Sequence, residues 1–369
     1  MNHYKVCVYA ISKNEGEFVE QWMKSMKEAD LVVVTDTGSD DDTVEKLRSL
    51  GAVVYEEKII PWRFDVARNI SLSHVPDDID IAVCTDLDEV FRPGWRVLLE
   101  EAWTTDTKTG NYIFNWSLKK NGTPETQFVY FKVHSPKDYI WSCPVHEYLK
   151  YIGTEVEKKV FVDGMVLDHY PDTKKSRGQY LPLLEMAVKE EPKNERMVYY
   201  LGREYMYFKK WDNCINTLKE YLLLKTATWK EERCGAMRWI AKSYGEKEEG
   251  NNAYKWYYMA LAEVSYMRDP YIELARYAYK LKDWTTVYFS ASKALKIKEK
   301  SKSYINMGYA WDYTPDDLVS ISSFWLGAYK TSLEHAKKAL EFEPNNVRLQ
   351  ENYKIIEKKF REKYKELGG

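Results

Sequence analysis

The sequence predicts an α/β domain with a mainly parallel sheet over residues 1–175, followed by an all-α helical-repeat domain over residues 176–369. Two observations carry that expectation. From residue 4 to residue 88, short β-branched runs alternate with stretches of helical periodicity, and each run ends in a polar cluster. After about residue 176 the pattern is helical throughout, with related apolar-small steps that recur.

Residues 4–11 form a short apolar run closed by Ser12-Lys13-Asn14-Glu15, the grammar of a buried strand. Phe18, Val19, Trp22, Met23 and Met26 then share one helical face within residues 15–28. Leu31–Val34 is a second strand, followed by the acidic stretch Asp36–Asp42, a short helix over 43–50 and a strand over 52–55. A further helix begins at Phe64, and Ile79–Thr85 is a strand that ends at Asp86-Leu87-Asp88. Strands alternating with helices imply parallel pairing, and in such sheets ligands sit beyond the carboxyl ends of the strands. From 111 to 170 the rhythm changes to shorter strands at 112–116, 128–133, 160–162 and 165–167, an antiparallel edge of the same domain.

In the second half, Leu201-Gly202, Ile240-Ala241 and Leu274-Ala275 are each followed ten positions later by Trp211, Gly250 or Trp284. The intervals of 39 and 34 residues are close to the tetratricopeptide period. A fourth copy is expected from Leu326-Gly327, ending in Ala339–Asn346. Stacked helical pairs of this kind grip extended peptides or join two copies of a chain, so a peptide partner or a homodimer through the helical half is expected. Much of the excess of 30 Tyr and 13 Trp falls in this half, where it serves helix packing.

A net charge of −2 gives no basic field for a nucleic-acid backbone, so a nucleic-acid binder is disfavoured. Five cysteines, odd in number and never spaced C-x-x-C, suggest neither a disulfide framework nor a zinc site; a reduced, cytoplasmic chain is the simple expectation. The first apolar run fits a strand better than a signal peptide, and no stretch approaches the ~18 apolar residues of a membrane span.

The chemistry concentrates at the strand ends. Asp86 and Asp88, one residue apart, can hold a Mg²⁺ or Mn²⁺ against the oxygens of a leaving diphosphate. A lone D-x-D is more often a pair of solvated loop charges. Here it has company. Asp36 can accept hydrogen bonds from a uracil or a ribose, though a capped acidic loop, with Asp42-Thr43 as the helix cap, explains the same residues. Ser12, Asn14 and Glu15 stand where they can wall a base, and Arg68 can meet the anionic side of a nucleotide or form a surface ion pair. His169, at another strand end, can add an imidazole to the metal beside the carboxylates, while Lys175 and Arg177 can clamp a diphosphate or remain a solvated basic run. An inverting transfer also needs a base for the acceptor proton, and Glu147, ahead of His146, is the candidate, with Glu89 as the alternative.

The order ISKNE (11–15), VVVTDTGSDDDT (32–43), FDVARN (64–69), TDLDEV (85–90) resembles the family-2 glycosyltransferases of GT-A fold, a Rossmann-like mixed sheet. That resemblance implies that Asp36 recognises the base, that Asp86 contacts the ribose side and that Asp88 is the more direct metal ligand. WSCPVHE (141–147), VLDHY (166–170), KKSR (174–177), EPKN (191–194) and YLGRE (200–204) look like the bacteriocin S-glycosyltransferase branch, in which tetratricopeptide-like helices follow the GT-A domain. The expectation is a metal-dependent, inverting glycosyltransferase with a UDP-linked donor and a protein or peptide acceptor. A glycan or small-molecule acceptor, or a tetratricopeptide adaptor whose α/β half is non-catalytic, are the alternatives. G-x-x-x-x-G-K-[ST], G-x-G-x-x-G and G-x-S-x-G are all absent, and no basic Gly-rich loop of a nucleotidyltransferase follows the first strand.

Overall fold

The structure, a computed structural model, describes residues 3–119, 121–172, 177–301 and 303–365, with Arg177 described by its backbone. It divides into two compact units, Met1–Pro192 and Lys193–Gly369.

The first unit is built on β1 (Val6–Ser12), α1 (Val19–Met26), β2 (Leu31–Asp36), α2 (Thr43–Ser49), β3 (Val53–Glu56), α3 (Phe64–Ser73) and β4 (Ile81–Cys84). After these come β5 (Glu89–Phe91), α4 (Trp95–Ala102), β6 (Thr109–Leu118), β7 (Pro124–His134), β8 (Tyr139–Ser142), β9 (Tyr148–Tyr151), β10 (Lys159–His169) and α5 (Tyr180–Glu190). Eight strands form one mixed sheet in the order β3-β2-β1-β4-β7-β6-β10-β5, while β8 and β9 form a separate two-stranded sheet. β1 to β4 are mutually parallel, as the alternation with helices requires, and β7 turns the sheet antiparallel.

Every residue of β1 is buried because both faces of the sheet are covered. Val6, Val8 and Ala10 point to one core with Trp22, Met23, Leu47, Trp95 and Leu99 from α1, α2 and α4. Cys7 and Tyr9 point the opposite way, with Leu72 of α3 and with Trp141 and Leu149 of β8 and β9. The period of two along one strand thus holds both layers. The two strands expected at 160–162 and 165–167 are one strand, β10. Its register shifts between Phe161 and Val166, where Gly164 takes φ +78°, a conformation a side chain would strain.

The second unit is all helix: α6 (Glu195–Tyr207), α7 (Trp211–Leu223), α8 (Lys230–Glu246), α9 (Gly250–Glu263), α10 (Asp269–Lys280), α11 (Trp284–Lys296), α12 (Thr314–Trp325), α13 (Tyr329–Phe342) and α14 (Val347–Lys365). Trp211, Gly250 and Trp284 open the second helix of three successive pairs. The fourth pair is α12 and α13, and its register differs from expectation: Leu326-Gly327 is the turn between its helices, with Gly327 at φ +76°. The position ten before Tyr329 is Val319-Ser320, both buried. Ser hides the step that Leu-Gly announces elsewhere, and its hydroxyl bonds Ser332 O while Ser332 Oγ bonds Ser320 O, closing α12 on α13. All five cysteines are buried free thiols, and no helix among the described residues is long and apolar enough to cross a membrane.

Candidate active site

The carboxyl ends of β1, β2 and β4 lie side by side, with Ser12 in register with Asp36. Asp36 is buried, and its carboxylate accepts four hydrogen bonds: from Ser12 Oγ (2.8 Å), Gly38 N (3.0 Å), Ser39 N (2.8 Å) and Ser39 Oγ (2.5 Å). Its oxygens are turned into its own loop, the arrangement of a capped acidic turn. Asn14, in the left-handed region at φ +54°, ties β1 to the same loop: its N donates to Ser39 Oγ and its Oδ1 accepts from Asp40 N, each at 2.8 Å. Glu15 N reaches Thr43 Oγ1 (2.8 Å). The cap of α2 differs from the expected Asp42-Thr43: Asp41 Oδ1 accepts from Thr43 N (3.0 Å), while Asp42 pairs with Lys46 (2.9 Å).

Arg68 is not a surface residue. It is buried on α3, where Nε donates to Glu147 Oε1 (2.5 Å), Nη2 to Asp86 Oδ1 (2.7 Å) and Nη1 to Cys84 Sγ (3.4 Å). The guanidinium lies over the Trp141 ring at 5.0 Å. One planar fork therefore joins the D-x-D segment to the 141–147 motif. Asn69, next in sequence, clamps that motif to α3: Nδ2 donates to Trp141 O and Oδ1 accepts from Trp141 N, both 2.8 Å. His146 sits at φ +52° with its ring edge-on to Tyr180 at 5.7 Å, so the structure gives it a different neighbour from Glu147.

Lys132, which the sequence reading passed over, completes the network. From β7 its Nζ meets Asp86 Oδ2 (3.1 Å) and both oxygens of Glu89 (3.3 and 3.4 Å). A lone lysine inside the apolar strand end Tyr130-Phe131-Lys132-Val133 was the available signal. Three carboxylates and two cations thus form one chain from Glu147 to Glu89, in which Arg68, Lys132 and Glu89 are buried. Burial raises the cost of charge on Asp86, but Arg68 and Lys132 outweigh it and hold its carboxyl well below the usual range. Burial also pushes the Glu89 carboxyl up to about 7 against the pull of Lys132, with Asp86 adding to the rise. The Glu89 side chain is 4% exposed and that of Glu147 12%.

β5 follows the D-x-D directly and pairs antiparallel with β10, in a register that sets His169 opposite Glu89. Tyr170 N donates to Asp88 O (2.8 Å), and His169 Nε2 comes to 3.4 Å from Asp88 Oδ2. Its Nδ1 donates to Trp116 O (3.0 Å); burial opposes charge on the ring, but the bonds to Asp88 and Trp116 O outweigh it and raise the imidazole pKa, so a cation at Nε2 would have to displace a proton. The Trp116 indole stacks on the imidazole at 4.7 Å. Asp88 Oδ2 and His169 Nε2 are spaced so that one cation with bonds of about 2.1 Å to each could lie between them. Asp86, also expected as a metal ligand, has both oxygens on Arg68 and Lys132. Among the described residues no group of three His, Cys, Asp or Glu side chains is placed to hold a metal. Lys175 lies outside the described residues, as does the side chain of Arg177.

No protein-family model matches the chain. Among solved structures it is similar to MamA, at 18% identity and TM-score 0.38, over 48% of this chain and 99% of that one. It is also similar to a thermophilic tetratricopeptide protein of Thermus thermophilus, at 16% identity and TM-score 0.34, over 48% of this chain and 88% of that one. A third similarity is to glucosyl-3-phosphoglycerate synthase of Mycobacterium tuberculosis, solved with Mn²⁺, UDP and glucosyl-3-phosphoglycerate. It has 22% identity and TM-score 0.27, over 31% of this chain and 45% of that one.

Proposed function

We propose that the first unit is a glycosyltransferase that takes a sugar from a nucleoside diphosphate, UDP first, and passes it with inversion to a protein or peptide acceptor. The observation that supports this most is the meeting of Asp88 with His169 beside the Arg68–Asp86–Lys132 network, at the carboxyl edge of the parallel strands. Asp88 and His169 offer two ligands to Mn²⁺ or Mg²⁺, a number that suits ions which fill their remaining positions with substrate phosphates and water. A bound cation would offset the charge that grows on the departing diphosphate. Asp86, fixed between two cations, presents an ionised, immobile edge toward the ribose side. The Asp36-centred loop, braced by Ser12 and Asn14, offers the base a preformed wall. Glu147, oriented by Arg68, takes the proton of the acceptor nucleophile as that nucleophile attacks the anomeric carbon and the diphosphate leaves.

The test is thermal stabilisation by UDP with and without Mn²⁺, joined to a screen of nucleotide-sugars for donor hydrolysis read by mass spectrometry. Saturating UDP at ~100 Kd should add about 2.7 kcal/mol, with Mn²⁺ only. A chain that responds to no nucleoside diphosphate is instead a tetratricopeptide adaptor with a non-catalytic α/β unit. What favours that second reading is Asp86, half of the D-x-D, whose two oxygens are taken by Arg68 and Lys132.

A further inference from the structure

β8 and β9 pair antiparallel up to Ser142 and Tyr148, so Cys143-Pro144-Val145-His146-Glu147 is the loop of a hairpin. Two of these residues stand in the left-handed region, Cys143 at φ +81° and His146 at φ +52°, and neither is a glycine. For a residue with a Cβ that region is small and sparsely used. Pro144 adds to the strain, because it pushes the residue before it toward extended backbone at negative φ, far from where Cys143 lies.

α3 holds the loop in this form at three points. Phe64 N, at the start of the helix, donates to Pro144 O (3.0 Å). Asn69 grips both backbone groups of Trp141, two residues ahead of Cys143. Arg68 bonds the carboxylate of Glu147, the last residue of the loop. Pro144 and Val145 are buried between these ties. A loop fixed at both ends and in its middle has no freedom to return to negative φ, and at positive φ a Cβ leaves the backbone only a narrow well. Strain and precision therefore arise together, as they do where a fold holds a reacting group in place. The group held here is the Glu147 carboxylate.

We propose that Cys143 and His146 are positioning residues, whose left-handed backbone, locked by α3, aims Glu147 at the acceptor. His146 acts through its backbone. This role rests on the reading of Glu147 as the base, but the position of the carboxylate is measurable without it.

The experiment compares glycine with alanine at each position in the full chain. Within each pair only the Cβ differs, since the thiol or the imidazole is gone from both. His146 is only half-buried, so its pair stands in should the Cys143 variants fail to fold. Glycine takes positive and negative φ about equally, so it removes strain and restraint at once. Each Gly variant should melt about 2–4 °C above its Ala partner. Its kcat for sugar transfer should nonetheless be about 10–100-fold lower, with the donor KM unchanged. The Arg68 Nε–H, followed by heteronuclear NMR and assigned by its shift in Glu147→Gln, reads the carboxylate directly. It should exchange with solvent about 10–100-fold faster in the Gly variants than in the Ala variants. A loop with a structural role alone would raise the melting point and leave kcat and this proton the same within each pair, which overturns the proposal. A Gly variant that melts no higher than its Ala partner also overturns it. If no chain transfers sugar, the transferase reading falls, while the melts and the Arg68 proton still decide the role of the loop.

Discussion

Arg68 holds two carboxylates that belong to segments far apart in sequence, and no shorter or single-pronged cation could replace it. Its fork geometry spans Glu147 and Asp86 at once, while a lysine would reach only one of them. The consequence for chemistry is a Glu147 held in one orientation. Glu147→Gln keeps an acceptor for Arg68 Nε but removes the proton acceptor, so sugar transfer should fall about 10²–10⁴-fold while UDP–Mn²⁺ stabilisation stays within error. Transfer at the wild-type rate would remove Glu147 from the mechanism. Beneath Arg68, Trp141 Nε1 donates to Tyr9 Oη, Tyr9 Oη to His134 Nε2, each at 2.8 Å, and His134 Nδ1 to Ser135 O at 2.9 Å. That chain needs a neutral imidazole, and burial pushes the His134 pKa down to about 4. Between about 4 and the unfolded value near 6.5 the unfolded chain binds the extra proton, so stability is full above that window and falls as pH drops through it. The thermal midpoint of the wild type should decline across pH 6.5 to 4 more steeply than that of His134→Gln, and parallel curves would show that the imidazole is not held neutral.

Elements were legible where a periodic pattern ran long enough, and illegible where one residue changed the grammar. β1, β2, α2 and α3 fall where strand and helix periods put them, because burial on both sheet faces demands unbroken apolar runs. β8 and β9 escaped notice: each has four residues, and Cys143-Pro144 between them looks like loop. β5 has three residues and would pass for the tail of the acidic motif, yet its pairing with β10 is what brings His169 to Asp88. The repeat steps were readable through small residues at helix crossings. At Gly202 a Cβ would come within 2.4 Å of Leu218, so α6 and α7 approach more closely than any larger residue permits. Gly202→Ala gains up to about 1 kcal/mol of helix propensity and loses about 1–3 kcal/mol to overpacking, a net destabilisation. Leu218→Ala alone should cost about 2–5 kcal/mol through the cavity it leaves. The double variant should lose less than the two together, since the new methyl enters the new void; strict additivity in urea unfolding would show that the two residues do not compete for space.

At the scale of the whole molecule, the expected change of grammar after residue 175 and the observed division after Pro192 differ by one helix. α5 is helical like everything beyond it, so pattern alone assigns it to the second half. Its contacts tie it to the first. Glu190 accepts two bonds from Arg63 Nη1 (2.9 and 3.1 Å), and Tyr180 meets the rings of Phe64 at 6.2 Å and His146 at 5.7 Å. Helical periodicity records how a segment coils and says nothing of which surface its apolar face covers. Two fragments separate the two boundaries. A chain of residues 1–192 should unfold cooperatively and keep UDP–Mn²⁺ stabilisation, because the network from Glu147 to Glu89 and the Asp88–His169 pair lie within it. A chain of residues 1–175 strips α5 from Phe64 and His146, at the entry to α3 and beside Glu147. It should unfold at a lower temperature and respond less to UDP–Mn²⁺. Residues 193–369, in which each helix pair packs on the next, should give a helical circular-dichroism melt that UDP–Mn²⁺ leaves unmoved. Equal melting of the 1–175 and 1–192 chains would mean that α5 contributes nothing to the α/β unit. The candidate base would then owe its position to Arg68 and Asn69 alone.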